Sequence, residues 1–177
     1  MKRKAIKNTI QEYFYVNPSA KLRVREIERT LNLPLPSVIR YCRELEKEGI
    51  LAIARTGSVN CYTADRSSEK YILNKKLYNI KMVYNSGTIE YLKQELSNPA
   101  IVLFGSYAKG EDTEDSDIDL YIETPSKKNI SLERFETILK RKIQVFRHRS
   151  LKEMSNPHLA NNIINGITLN HYIEVFR

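Results

Sequence analysis

Residues 100 to 123 constrain this chain more than any other stretch. AIVLF runs straight into Gly105-Ser106, a polar turn follows, and DSDIDLYIE closes the segment. The five-residue apolar run reads as a buried strand bounded by a turn signal. In the closing phrase Asp117, Asp119, Tyr121 and Glu123 alternate with Ile118, Leu120 and Ile122, which is the period of a half-buried strand. Carboxylates two residues apart on a strand project from the same face, with Cα atoms roughly 6 to 7 Å apart, so both can ligate one divalent ion or bracket two. Hard oxygen donors of this kind suit Mg²⁺. Gly105 lets the backbone approach a ligand closely. If SYAKG opens a helical turn, its free N–H groups and the Ser106 hydroxyl would face whatever sits above the strand end, a natural place for phosphate, with Lys109 adding charge.

Two blander readings compete. A solvated acidic loop accounts for Glu111, Asp112, Glu114 and Asp115, but not for Asp117 and Asp119, which sit where the apolar alternation has begun and have no adjacent Lys or Arg. A calcium loop opening at Asp115 would need Gly at Leu120 and a bidentate Glu at Ser126, and is discarded.

A strand, Gly-Ser, ten residues and then Asp-x-Asp on a second strand resembles the DNA polymerase β-like nucleotidyltransferase superfamily, especially its minimal nucleotidyltransferases, over about residues 88 to 148. The resemblance implies a mixed sheet with packed helices. It also implies a nucleoside triphosphate held by Gly105 and Ser106, and Mg²⁺ or Mn²⁺ held by Asp117 and Asp119 in a catalytic role. The reaction it implies is nucleotidyl transfer, often of AMP, to a protein or small-molecule acceptor. A toxin–antitoxin role with a HEPN-type protein partner belongs to the same set of expectations. SLERFETILKR, a helix over residues 131 to 141, and the strand KIQVFRH supply the next elements. One position departs from the pattern. Active members place a third acid on the strand after that helix, and the matching residue here is Gln144, an amide that neither balances a second metal's charge nor accepts a proton. Glu123 lies ~13 Å along its strand from Asp119. Glu174, on an expected HYIEVF strand, is the other candidate substitute. The alternative to an enzyme is therefore a transcription regulator whose degenerate transferase domain binds nucleotide without turning it over.

The charge of the chain is uneven. Residues 1 to 66 carry 13 Lys and Arg against 7 Asp and Glu, whereas residues 67 to 177 carry 16 against 14. A basic excess on one small unit favours a polyanionic partner. Apolar residues at helical spacing predict a first helix on Ile6, Ile10, Tyr13 and Phe14 and a second on Val24, Ile27 and Leu31. A third, opening near Pro36, has Val38, Cys42 and Leu45 inside and Ser37, Arg40, Tyr41 and Glu44 on another face. ILAIAR and VNCYTA, joined at Thr56-Gly57-Ser58, predict a hairpin. This order resembles the winged helix-turn-helix domain, most closely through VIRYCRELEKEGILAIART. By that resemblance Ser37, Arg40, Tyr41 and Arg43 would contact double-stranded DNA and Arg55 its backbone. A winged helix used only for dimerisation, and hence a homodimer, is the third option.

Leu73, Leu77, Ile80 and Tyr84 recur at helical spacing, as do Ile89, Leu92 and Leu96 after Gly87. The expectation is an α+β protein with a winged helix over residues 1–66, a helical connector over 67–87 and a nucleotidyltransferase-like domain over 88–177. No apolar run reaches the ~18 residues of a membrane span, so a cytoplasmic protein without a membrane partner is expected. Cys42 and Cys61 read as reduced packing residues, and the three histidines share no ligand spacing.

Overall fold

In the computed structural model, which describes residues 3–57 and 59–175, the chain divides into two compact units, one running to Tyr78 and the other from Asn79. In the first, α1 (Arg3–Val16), α2 (Val24–Leu31) and α3 (Leu35–Lys47) precede an antiparallel hairpin of β1 (Leu51–Thr56) and β2 (Val59–Ala64). Ile6, Ile10 and Phe14 recur every four residues along α1 and are buried with Ile27 of α2 and Val38, Cys42 and Leu45 of α3. Leu22 pairs with Tyr62 through backbone N–H to O bonds of 2.9 and 2.8 Å, which adds an extended residue to the open edge of β2. Ser58, assigned to the hairpin turn, lies outside the described residues.

Tyr41 departs from expectation. The spacing sets it on the face of Ser37 and Arg40, yet only 6% of it is exposed. Three residues after Val38 and four before Leu45, its ring turns toward the core, which leaves Arg40 and Arg43 exposed and Ser37 partly so.

The connecting helix α4 (Glu69–Asn85) forms, but its packed side is not the expected stripe. Leu73 and Leu77 are 55% and 57% exposed, and Tyr84 47%. Tyr71, Lys75, Asn79 and Val83, each four residues on from the last, are buried instead. Tyr71 carries much of the reason. Its hydroxyl donates to the Phe14 carbonyl at 3.0 Å and its ring meets that of Tyr15, which fixes the rotation of the helix's first turns.

The second unit contains α5 (Thr88–Glu95), β3 (Ala100–Phe104), α6 (Gly105–Lys109), β4 (Ile118–Glu123), α7 (Glu133–Leu139), β5 (Ile143–His148), α8 (Pro157–Ile164) and β6 (Ile167–Asn170). The four strands form one mixed sheet in the order β5-β4-β3-β6. β3 runs antiparallel to both neighbours, and β4 runs parallel to β5. The α+β class with a mixed sheet and packed helices is therefore the observed one. On one face Ile101, Leu103, Ile118, Leu120 and Ile122 bury against Ile89 and Leu92 of α5 and Leu139 of α7. On the other, Val102, Phe104 and Tyr121 bury with Leu151 and with Ile163 of α8. Hence β4 is covered on both sides, and Tyr121 has no exposed surface, where a half-buried strand was expected.

The last strand is β6, at Ile167–Asn170, and the expected HYIEVF strand does not form among the described residues. Gly166 explains the early turn. A Cβ there would lie 2.7 Å from the Leu103 carbonyl oxygen and 2.6 Å from Val102 Cγ1, so only glycine lets α8 hand the chain to the edge of β3 at this point. Gly166→Ala should lower stability by about 1–3 kcal/mol, the range for forcing atoms into a packed site. Urea unfolding measures it, and an unchanged midpoint would show that β6 is not seated on β3 as described.

Candidate nucleotide site

The antiparallel register of β3 and β4 sets Phe104 opposite Asp119. The next residue, Gly105, turns the chain into the single helical turn of α6 at φ +75°, a conformation that side-chain-bearing residues rarely adopt. The Asp119 carboxylate lies against it. A Cβ on Gly105 would collide with Asp119 Oδ2 and stand 3.1 Å from Cγ. The Gly-Ser turn and the second aspartate, 14 residues apart in the chain, are thus brought into contact. Ser106 is partly buried at the second residue of α6. Lys109 is exposed in that helix's last residue, and Asp117 is exposed immediately ahead of β4.

The two carboxylates oppose each other electrically. Burial raises the Asp119 pKa above the ordinary aspartate value, and the charge of Asp117 raises it further. A cation is also close, one that reading along the chain overlooked. Lys142 has its pKa raised chiefly by its 2.8 Å hydrogen bond to Glu136, with Asp117 among the weaker contributors. It arrives through strand pairing, since its carbonyl accepts the Ile118 N–H at 2.8 Å, between the two aspartates. Beside Asp117 opens a groove of about 580 Å³, lined among others by Glu114, Glu133, Lys140, Arg141 and Lys142.

Gln144 of β5 pairs in register with Asp119 and is exposed, so an amide stands where a third acid was sought. The two candidate substitutes are placed elsewhere. Glu123 accepts hydrogen bonds from the Tyr121 hydroxyl at 3.1 Å and the Leu151 N–H at 2.8 Å. Glu174 follows β6, whose Asn170 pairs with Ile101 near the start of β3, whereas Asp119 pairs at its end. Among the described residues no cluster of three or more His, Cys, Asp or Glu could hold a metal. An exposed carboxylate at Asp117 and a partly buried one at Asp119, near enough for the first to raise the second's pKa, fit the hard oxygen donors that Mg²⁺ or Mn²⁺ takes. Asp117 and Asp119 would hold it, and when bound it would polarise a phosphate and offset developing charge.

Asp112 departs from the solvated-loop reading. It is 1% exposed and accepts a hydrogen bond from Asn79 Nδ2 at 2.7 Å, with Arg141 Nη2 at 4.0 Å from its other oxygen. Glu111 and Asp115 are exposed, as expected of a loop.

In the first unit, Arg40 is held by Glu44 at 2.8 Å and its guanidinium lies 5.4 Å from the Tyr41 ring. Arg43 is exposed on α3, and Arg55 is exposed on β1.

The profile of the nucleotidyltransferase domain family matches residues 86–156, a span that includes Gly105, Ser106, Asp117, Asp119 and Gln144. A Methanocaldococcus jannaschii protein named "Putative protein adenylyltransferase MJ1379" is 35% identical over 79 residues, covering 41% of this chain and 76% of that protein. The chain belongs to the nucleotidyltransferase domain family. That membership implies a nucleoside triphosphate ligand and the divalent metal such domains generally use. No solved structure matches. Among the described residues no helix is long and apolar enough to cross a membrane.

The raised Asp119 pKa has a definite sign. Between the ordinary aspartate value and the raised one, the folded chain holds more proton than the unfolded chain, so stability falls as pH rises through that interval. In chelator-treated protein Asp119→Asn should raise the thermal midpoint at pH 7 and remove this slope. Melts across the acid range test it, and an Asp119→Asn midpoint equal to wild type at every pH would mean that the carboxylate carries no such penalty.

Proposed function

We propose that the second unit binds a nucleoside triphosphate at Gly105-Ser106, holds Mg²⁺ or Mn²⁺ with Asp117 and Asp119, and transfers a nucleotide, AMP in the first instance, to a protein acceptor. The observation that carries this reading is the contact of the Asp119 carboxylate with the Gly105 backbone, which joins a place for phosphate to a place for metal. The name of the archaeal relative favours AMP and a protein acceptor. Following the resemblance noted in the sequence, a HEPN-type protein is one acceptor to try, and Lys109 is assigned to the triphosphate's charge.

A second reading is a regulator that binds nucleotide without transferring it. Gln144 beside Asp119 favours it, because an amide cannot take the acceptor hydroxyl's proton. α-Labelled ATP with Mg²⁺ or Mn²⁺ and candidate acceptors separates the two. Label transfer lost in Asp117→Asn/Asp119→Asn is expected of the enzyme, metal-dependent binding without transfer of the regulator, and absence of binding would defeat both.

For the first unit we propose double-stranded DNA binding through Ser37, Arg40 and Arg43 on α3 and Arg55 on the hairpin. Three helices followed by a hairpin, in a unit with excess positive charge, support it. The Arg40–Glu44 pair is exposed and so releases Arg40 to a phosphate at little cost. Arg40→Ala/Arg43→Ala should weaken duplex binding and reduce the slope of log K against log salt by about 2, close to one per lost phosphate contact. An unchanged affinity and slope would exclude α3 from the interface.

A further inference from the structure

We propose that Asp112, Asn79 and Arg141 form a buried clamp that positions both halves of the nucleotide site, the Gly105-Ser106 turn and the Asp117–Asp119 segment, relative to each other. The proposal rests on the nucleotide reading above and assigns roles to residues that do not themselves touch nucleotide.

α6 has five residues and cannot hold its shape alone, because helix nucleation is unfavourable and its own hydrogen bonds are few. Something outside it must hold it. The Asn79 side-chain nitrogen donates both to the Tyr107 carbonyl of α6 at 2.9 Å and to Asp112 Oδ1 at 2.7 Å. Between those two acceptors the chain folds back on α6, with the Glu111 N–H bonded to the Ser106 carbonyl at 3.0 Å. The amide therefore staples the end of the turn to its middle, and through Glu111 it acts on Ser106.

The other Asp112 oxygen faces Arg141, whose side chain is 7% exposed and lines the groove beside Asp117. Arg141 precedes Lys142, whose carbonyl accepts the Ile118 N–H between the two aspartates. Asp112 thus stands between the two pieces of chain that must be held in register for phosphate and metal to meet. A buried carboxylate is costly even when paired, and an apolar pair of the same volume is often as stable or more so. Retaining an ion pair here is explained by what it orients: the carboxylate accepts the Asn79 amide at 2.7 Å and holds the Arg141 guanidinium at 4.0 Å by charge, and an apolar contact would direct neither.

That comparison supplies the test. Asp112→Leu/Arg141→Met removes both charges together and leaves neither buried alone. The protein should fold, yet bind Mg²⁺-ATP at least about tenfold more weakly by calorimetry, the usual effect of removing a group that orients a ligand residue. Hydrogen exchange reads the clamp independently of nucleotide. Protection of the Glu111 N–H should fall in the variant while the β3–β4 ladder keeps its own. Asn79→Ala, which removes a single neutral amide, should lose the same protection. Wild-type affinity together with wild-type Glu111 protection in the double variant would overturn the proposal. So would collapse of protection throughout the unit in both variants, since the cluster would then serve the whole fold rather than the site. If wild-type protein binds no nucleotide, the nucleotide reading fails on its own, and the local exchange result still decides whether the clamp exists.

Discussion

The pairing of Phe104 with Asp119 is the constraint on which the rest of the second unit depends. Sliding β4 by one residue would turn Asp119 into the apolar cluster and Ile118 or Leu120 toward Gly105, because strand side chains alternate with a period of two. Ile118, Leu120 and Ile122 resist that slip on one face and Tyr121 resists it on the other, all without exposed surface. A strand buried on both sides has no face onto which a misplaced carboxylate could be turned. The closeness of Asp119 to the Gly105 backbone is thus inherited from the core. The glycine then settles what the core leaves open, since any side chain at φ +75° would be strained and would also occupy the carboxylate's place.

Much of this was legible in the chain because it is local. AIVLF, Gly-Ser and the alternation after Asp117 each declare themselves within a few residues, and the helices of the first unit follow from Ile6, Ile10, Phe14 and their counterparts. What escaped was set by partners distant in sequence. Asp112 reads as loop until Asn79 and Arg141, 33 and 29 residues away, are brought to it. Lys142 is invisible as a neighbour of Asp117 until β4 and β5 align. The two sides of α4 show the same limit more sharply: periodicity identifies a stripe on Leu73, Leu77, Ile80 and Tyr84, of which Ile80 packs while the other three are exposed, because the tyrosine that finds Phe14 decides which side is buried. Tyr41 and Glu174 failed for simpler reasons, a ring near the boundary between faces and a strand that ended at Asn170.

The raised Asp119 pKa and the amide at Gln144 bear on the chemistry together. Burial, with the charge of Asp117 added, makes the ionised Asp119 carboxylate a cost to the fold, and a bound cation would lessen that cost. Lys142 is committed to Glu136, whose carboxyl it holds below the ordinary range. Gln144 adds no charge of either sign. Asp117 and Asp119 would hold the ion, and with an amide at Gln144 a proton leaving an acceptor hydroxyl would have to pass elsewhere, to solvent or to an aspartate.

The charge of the first unit has a similar unevenness within it. On α3, Arg40, Arg43 and Lys47 are matched in number by Glu44 and Glu46 of the helix and Glu48 at its end, so this helix carries little net field. The excess lies ahead of α3, in Lys2, Arg3, Lys4 and Lys7, which face only Glu12 in number, and in Lys21, Arg23, Arg25 and Arg29, against which Glu26 and Glu28 stand. Long-range attraction to a polyanion follows net charge, whereas close contact follows the placement of single side chains. If DNA is the partner, the charges of residues 2 to 7 and 21 to 29 draw it in and α3 selects it. A loss confined to α3 would then alter discrimination between sequences more than the rate of encounter, and a loss at Arg23, Arg25 or Arg29 would do the reverse.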